Sequence, residues 1–316
     1  MKYIEVDGEK LSVIGLGTWQ FGSVEWGYGS RYLKEEAPKI VKAAVDAGIN
    51  VIDTAEIYGM GRSERAVGRA IQGIRDKVFV ATKLAPIAPV PPIVQFRAGL
   101  SARRLGVETI DLYQLHWPNL LVPLGLTMQG MRSLLGSGKV RHAGVSNYSL
   151  SRWKEADAAL GRPVFSNQVE FSLVARDPLR ELVPFAKENN RVILAYSPLA
   201  KGFLSARYTK DSLPSNAVRR TNYLFRRENL EMAAPFLDLL REVAKKYNAE
   251  PSQIALAWLV RKPNTIAIPG ASSEAQVKKN AEAADIDLSE EDEIALTTAA
   301  EEFEPFKPPP PFFLRR

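Results

Sequence analysis

The chain has 316 residues, 46% of them hydrophobic and 25% charged, which are ordinary globular proportions that let a large core form without staples. Net charge is +6 from 42 basic and 36 acidic residues with the signs interspersed; a nucleic-acid surface would need a basic stripe, and the nearest approach is Arg219-Arg220 with Arg226-Arg227. There is no apolar run of about 18 residues to span a bilayer, the first six residues lack the apolar core of a signal peptide, and the absence of cysteine excludes disulfides and thiolate metal sites and agrees with a cytoplasmic location.

Residues 2–6 and 10–13 alternate around Asp7-Gly8, a dipeptide that favours a tight hairpin turn. Such a hairpin is suited to plugging the bottom of a barrel. Residues 13–19 read as a first inner strand opening into a Gly- and aromatic-rich loop through Tyr28. Ile40, Val41, Ala44 and Val45 form a helical stripe, and residues 50–53 form a strand. Ala66, Val67, Ala70, Ile71 and Ile74 predict a helix, followed by a strand over 77–83. The Pro-rich stretch 86–92 is a loop, 93–105 a helix and 109–116 the fourth strand. A helix over 128–135 precedes a strand over 140–145, and a helix over 149–160 precedes a strand over 163–169. Residues 179–188 are helical and 191–196 form the seventh strand. A long polar and basic excursion, 201–227, leads to helices around 230–247 and 252–260. The eighth strand covers 264–268, with helices over 275–284 and 289–300.

Short apolar runs bounded by turns are the pattern of strands buried on both faces of a parallel sheet. Eight of them alternating with helices, without a linker or internal repeat, predict an α/β fold. The expected architecture is a single (β/α)8 TIM-barrel domain over residues 1–316, with an N-terminal β-hairpin and extra C-terminal helices. The tail, residues 305–316, carries Pro308 to Pro311 and Phe312-Phe313, and reads either as a disordered end or as a flap laid on the barrel.

Three of the strands end on reactive groups. Asp53 closes one, with Tyr58 following at the head of a Gly-containing turn; Lys83 closes the next, and His116 the one after. In a barrel of this kind the C-terminal strand ends carry catalysis. A phenol titrates at about 10, and a nearby ammonium favours phenolate and lowers that value. These tendencies assign Tyr58 as general acid, Lys83 as its tuner, Asp53 as the anchor of Lys83, and His116 as a hydrogen-bond donor to a carbonyl oxygen. A reaction that puts a proton on oxygen while carbon receives a hydride is carbonyl reduction, with a nicotinamide as hydride source. Taken singly, Asp53 also reads as a helix cap, Lys83 as an ion-pair partner, and Tyr58 or His116 as core. Their joint placement favours the catalytic reading.

The series Asp53-Thr54-Ala55-x-x-Tyr58-Gly59, with Lys83 and His116 ending the next two strands, resembles the aldo-keto reductase superfamily. The resemblance runs through nearly the whole chain. It includes Gly15-Leu16-Gly17-Thr18-Trp19, Gly144-Val145-Ser146-Asn147-Tyr148, Asn167-Gln168, Tyr196-Ser197-Pro198-Leu199, and Ile268-Pro269-Gly270-Ala271-Ser272-Ser273 with Gln276 and Asn280. It implies a barrel that binds NADPH/NADP+ without a Gly-x-Gly-x-x-Gly fingerprint, and none is present. By matching position, Gly17, Thr18, Trp19 and Asp53 border the cofactor. Ser146, Asn147 and Gln168 would hold its carboxamide, and Tyr196 would stack on the nicotinamide ring. Ser197, Leu199 and Gly202 would follow the pyrophosphate, and Gly270, Ser272, Gln276 and Asn280 the adenosine end, where a helix start offers free amides.

Many members have Lys or Arg in the eighth-strand motif for the 2′-phosphate. Here Gly270, Ser272 and Gln276 stand there, closer to members similar to potassium-channel β subunits. Arg207 and Arg219 in the long loop would then supply the cation, or be solvated loop charges; NADPH is expected, with NADH as the alternative. Trp19, Trp26, Tyr28, Tyr58, His116 and Trp117 would ring an apolar substrate pocket suited to a hydrophobic aldehyde or ketone. Trp258 reads as outer-layer packing.

One rival reading is a slow-turnover, cofactor-binding regulatory or redox-sensing subunit like the channel β subunits. A second is a metal-dependent barrel hydrolase, for which His116 and His142 leave too few ligands, so no metal is expected. The expected partner is a small carbonyl substrate, with no nucleic acid or membrane, in a monomer or small homo-oligomer.

Overall fold

The computed structural model describes residues 1–23 and 30–307; Trp26, Tyr28 and the tail from residue 308 lie outside the described residues. Strands β1 (Tyr3–Val6) and β2 (Glu9–Ser12) pair antiparallel as the expected hairpin. Asp7 and Gly8 between them have φ of 50° and 81°, the left-handed pair that a two-residue type I′ turn requires.

Eight further strands follow: β3 (Leu16–Gly17), β4 (Val51–Asp53), β5 (Phe79–Leu84), β6 (Ile110–Leu115), β7 (Val140–Ser146), β8 (Ser166–Glu170), β9 (Val192–Tyr196) and β10 (Thr265–Ala267). They lie side by side in chain order and every pairing is parallel. The first and last meet. Ile14 bridges Ala267 and Gly17 bridges Gly270, with the Gly15 amide donating to the Ala267 carbonyl at 2.8 Å. Glycine makes this seam close enough to form, because a Cβ on Gly17 would stand 2.6 Å from the Ile268 carbonyl oxygen. The first inner strand is therefore shorter than the expected 13–19, and single bridges carry its remaining pairings.

Around the sheet run α1 (Ser30–Asp46), α2 (Arg62–Ala70), α3 (Pro91–Leu105), α4 (Leu124–Gly136), α5 (Leu150–Leu160) and α6 (Leu182–Glu188). After β9 come α7 (Ala217–Arg220), α8 (Arg227–Met232), α9 (Ala234–Lys246) and α10 (Pro251–Val260), and after β10 α11 (Glu274–Glu282) and α12 (Glu290–Glu302). Helix α3 starts on Pro91-Pro92, which belong to the helix rather than the preceding loop because first-turn N–H groups have no intrahelical acceptor, so a proline loses no bond there; it stops at left-handed Gly106. The single helix expected over 230–247 is two, α8 and α9, with Pro235 accommodated in the first turn of the second. The excursion 201–227 is less polar than its sequence suggests. Phe203, Leu204, Leu224 and Phe225 are buried, and Phe203 stacks on Phe303 with ring centroids 5.7 Å apart. Trp258 is outer-layer core as expected, its indole N–H donating to Thr297 at 2.9 Å. Among the described residues no helix is long and apolar enough to cross a membrane.

Strand alternation divides the barrel interior in two. On β5, Val80 and Leu84 pack in the shell beneath the helices, whereas Phe79 and Ala81 face inward and Lys83 continues that inward set. On β4 the inward residues are Val51 and then Asp53. The lower interior is thus apolar and the upper interior polar. Val6 and Leu11 of the hairpin join Val51, Phe79, Phe165 and Ile266 in the lower cluster and seal it. Leu11→Ala is expected to destabilise the fold by about 2–5 kcal/mol, seen as a lower urea midpoint; an unchanged midpoint would mean that the hairpin is not the plug.

Candidate active site

Lys83 has no solvent exposure at all. Its ammonium donates to Asp53 Oδ1 at 2.5 Å, to the Thr54 carbonyl at 2.9 Å and to the Tyr58 hydroxyl at 3.4 Å, so each of its three protons has an acceptor. Asp53 Oδ2 accepts from the Gln168 side-chain amide at 2.8 Å and, at 3.5 Å, from that of Gln114. Burial alone pulls the lysine pKa down, but the Asp53 carboxylate and Tyr58 outweigh it and the net direction is up. The lysine stays charged.

Tyr58 sits on the turn between β4 and α2, where Gly59, Met60 and Gly61 all adopt positive φ. Its phenol lies above the ordinary value of 10.0: burial raises it, the Lys83 ammonium lowers it in part, and the Asp53 carboxylate raises it again. Lys83 acts on the phenol in the expected downward direction, but it does not bring the phenol below its ordinary value. The carboxylate offsets much of the ammonium's field, and desolvation decides the sign.

His116 follows β6, and its ring is 5.7 Å from that of Tyr58 at an interplanar angle of 77°. It stacks flat on Trp117 at 3.7 Å. Burial, aided by the Lys83 charge, pushes its pKa down to about 2, so the imidazole is neutral at physiological pH. The imidazole Nδ1 has no hydrogen-bond partner among the described residues.

The ends of β7, β8 and β9 form one connected set. Ser146 Oγ and the Asn147 amide donate to the Gln168 carbonyl at 2.8 and 2.9 Å. The Asn147 side-chain amide donates to the His116 carbonyl at 3.1 Å, and the Tyr196 hydroxyl donates to Asn147 Oδ1 at 2.9 Å. The Gln168 side-chain amide is itself occupied by Asp53, a task beyond the one its position implied. Thr18 faces the wall: it is buried, and its hydroxyl donates to the Asp53 carbonyl at 2.8 Å beside Ser63.

After β9, Ser197, Ala200, Lys201 and Gly202 take left-handed φ of 49°, 46°, 58° and 95°, whereas Leu199 between them does not, at -105°. Arg219 donates to the Lys201 carbonyl at 2.8 Å, whereas the Arg207 guanidinium lies over the Tyr208 ring at 5.0 Å. At the start of α11 the Ser272 amide and hydroxyl both donate to Gln276 Oε1, at 2.8 and 3.0 Å, and Asn280 is buried one turn further on. A Cβ on Gly270 would meet Gln20, whose side-chain amide ties down the Ala271 carbonyl at 2.7 Å. Around the mouth Trp19, Ile57, Trp117 and Leu121 are exposed apolar groups. The expected residues Trp26 and Tyr28 fall outside the described set. Sequence reasoning missed Gln114, although strand alternation places it on the inward face two residues before His116.

An eight-stranded parallel barrel with a carboxylate, an ammonium, a phenol and an imidazole clustered at its C-terminal strand ends defines a class of barrel enzyme. Residues 13–301 match the model of the aldo/keto reductase family, and the chain belongs to that family. It is 54% identical to an uncharacterised oxidoreductase of Mycobacterium tuberculosis, over 96% of this chain and 94% of that one. Among solved structures it is similar to the glycerol dehydrogenase AKR11B4 of Gluconobacter oxydans, with a TM-score of 0.87, 30% identity and 98% of both chains covered. It is also similar to an aldo-keto reductase of Klebsiella pneumoniae in complex with NADPH, with a TM-score of 0.76, 29% identity, and 97% of this chain and 96% of that one covered.

Lys83→Met leaves Asp53 buried and unpaired, and is expected to cost about 3–5 kcal/mol, part of which Asp53→Asn restores when added to it; equal urea midpoints for the single and double variants would contradict the pairing. His116 is neutral in the fold but binds a proton below 6.5 once unfolded, so its contribution is complete above 6.5 and is lost as pH falls toward 2. Stability is expected to drop by about 1 kcal/mol per pH unit there on its account, and denaturation midpoints of His116→Asn should show a shallower acid slope than the parent.

Proposed function

We propose that the protein reduces aldehydes and ketones to alcohols, with Tyr58 as general acid and NADPH as the cofactor, the whole of residues 1–316 acting as one barrel. The observation that carries this reading is the contact of Tyr58 with a buried, charged Lys83, beside a neutral His116. NADPH supplies the hydride when bound.

Two features of the chain and one of a relative suit such a cofactor. Between Ser197 and Gly202 the backbone turns tightly, with four of the six residues left-handed, and Arg219 lies against this turn, which would set a guanidinium beside the pyrophosphate. Ser272 and Gln276 offer polar groups at a helix start to the adenosine end. A relative of known structure binds NADPH. With Gly270, Ser272 and Gln276 uncharged, the preference for NADPH over NADH falls to Arg219, the better placed of the two loop arginines.

The substrate carbonyl would lie between the Tyr58 hydroxyl and the His116 ring. The raised phenol keeps its proton at neutral pH and holds it ready. As charge grows on the carbonyl oxygen, Tyr58 releases the proton to it, and the adjacent ammonium of Lys83 stabilises the phenolate left behind. Asp53 keeps that ammonium charged and stationary. His116, neutral and held flat on Trp117, donates a hydrogen bond without competing as an acid. The apolar mouth formed by Trp19, Ile57 and Trp117 favours hydrophobic carbonyls.

Tyr58→Phe is expected to lower carbonyl reduction by about 100- to 10,000-fold while NADPH affinity, read by fluorescence titration, stays within about a few-fold. Unimpaired turnover would sink the assignment. Because the Tyr58 pKa is raised above 10.0, reduction should be level through neutral pH and decline only above that value, with alcohol oxidation gaining along the same limb. Rates in both directions, taken where chemistry is the slow step, check this.

A further inference from the structure

Two residues to which no motif above gives a role link Tyr58 to Lys83. Glu56, two positions before Tyr58, accepts the backbone N–H of Ala85, two positions after Lys83, on Oε1 at 2.5 Å. The same carboxylate takes both arms of Arg97 on α3, Nη2 to Oε1 at 2.5 Å and Nε to Oε2 at 3.0 Å. The remaining arm of Arg97, Nη1, donates to the carbonyls of Ala85 and Ile87 at 3.2 and 3.1 Å. The pair is largely withdrawn from solvent, with side-chain exposures of 8% for Glu56 and 15% for Arg97, so salt and water screen it little.

The turn that carries Tyr58 has little else on this side. Its direct backbone link to β5, from the Glu56 amide to the Lys83 carbonyl, is long at 3.4 Å. Gly59, Met60 and Gly61 are all left-handed, and the bonds within the turn, from the Tyr58 amide to the Ala55 carbonyl and from the Met60 amide to that of Ile57, both 3.1 Å, shape it without tying it to β5. The Tyr58–Lys83 contact is itself at the outer edge of hydrogen-bonding distance, at 3.4 Å. A small outward movement of the turn would break it. We infer that the Glu56–Arg97 pair positions the Tyr58 hydroxyl against the Lys83 ammonium, and at the same time holds the Ala85–Ile87 rim of the substrate mouth. Neither residue touches a reacting atom; both act through Tyr58. A planar guanidinium is required because four bonds to a carboxylate and two carbonyls leave in fixed directions, which a lysine does not reproduce.

This rests on the function proposed above, and the test separates the two. Carbonyl reduction with NADPH is measured in steady state for the parent, Arg97→Lys, Arg97→Met, Glu56→Gln and Glu56→Ala, with thermal midpoints and NADPH affinity. The kinetic isotope effect on kcat is taken with NADPH deuterated at the transferred position. Arg97→Met is expected to lower kcat by about 10- to 100-fold with NADPH affinity within about twofold, and to raise the isotope effect as the chemical step slows. Glu56→Gln, which keeps an oxygen for the Ala85 N–H, should retain more of kcat than Glu56→Ala, and Arg97→Lys should recover only part. A pair that merely holds the fold together would lower the thermal midpoint and leave kcat of the folded enzyme and its isotope effect where they were, which overturns the inference. The crystal structure of Arg97→Met gives a readout independent of activity. Tyr58 is expected beyond hydrogen-bonding distance of Lys83 while the Lys83–Asp53 contact persists; a Tyr58 hydroxyl still in place overturns the inference. A parent enzyme that reduces no carbonyl removes the proposed function instead, and leaves the positioning to be decided by that crystal structure.

Discussion

The interaction on which the rest of the site depends is a single ammonium taken wholly out of water. Moving a lysine charge from solvent to protein interior costs several kcal/mol unless a carboxylate and further acceptors replace the lost hydration. Lys83 has that replacement in full: Asp53, the Thr54 carbonyl and the Tyr58 oxygen. Each partner is then constrained in turn. Asp53 can serve only while Gln168 and Gln114 occupy its second oxygen, and Thr18 fastens the carbonyl of the same residue. The tetrad is therefore not four side chains that happen to meet. It is one charge with its neighbours arranged to keep it ionised.

The barrel supplies the low-polarity setting that makes this arrangement consequential. Phe79 and Ala81 lie below Lys83 on the inward face of β5, and Val51 below Asp53 on β4. Val6 and Leu11 close the floor from outside the strand cylinder. Water is thus kept from the charge on the lower side, and the electrostatic effect of Lys83 on its neighbours is larger than it would be at a surface. Glu64 plays a comparable part behind the strand. Fully buried on α2, it accepts the Thr82 hydroxyl at 2.7 Å and pairs with Arg104 of α3 at 2.5 Å, so the residue next to Lys83 is held from the opposite face.

Most of the fold was legible because its strands are short apolar runs, and its candidate site because three of those runs end on Asp53, Lys83 and His116. What was not legible depends on distances that no local pattern encodes. The seam that closes the sheet joins Gly17 to the Ile268 region, far along the chain, through isolated bridges that no local pattern announces. The break between α8 and α9 was readable from Pro235, but the apolar periodicity on either side runs through it. Buried Phe203 and Phe225 sit in a stretch whose arginines dominate its composition. The Glu56–Arg97 pair joins residues 41 positions apart, and neither carries a signal of its own. The net direction of the Tyr58 shift is not legible because the sequence names the ammonium beside it but not the balance between that charge, the carboxylate behind it and the loss of water.

On the proposed reading, that balance explains why the site would use one acid and not two. Tyr58 and His116 both border the space where a carbonyl oxygen would lie, and both are near Lys83. The same positive charge acts on them in opposite senses. On a neutral phenol that becomes an anion it favours loss of the proton, opposing burial. On a neutral imidazole that would become a cation it disfavours gain of one, adding to burial. The histidine is thereby held neutral at every physiological pH, a donor whose protonation state does not change. The tyrosine keeps its proton in the resting state and has its conjugate base stabilised when the proton leaves. Neutralising Lys83 would relax both effects together, so the division of roles between phenol and imidazole follows from one buried charge and requires no separate device for each.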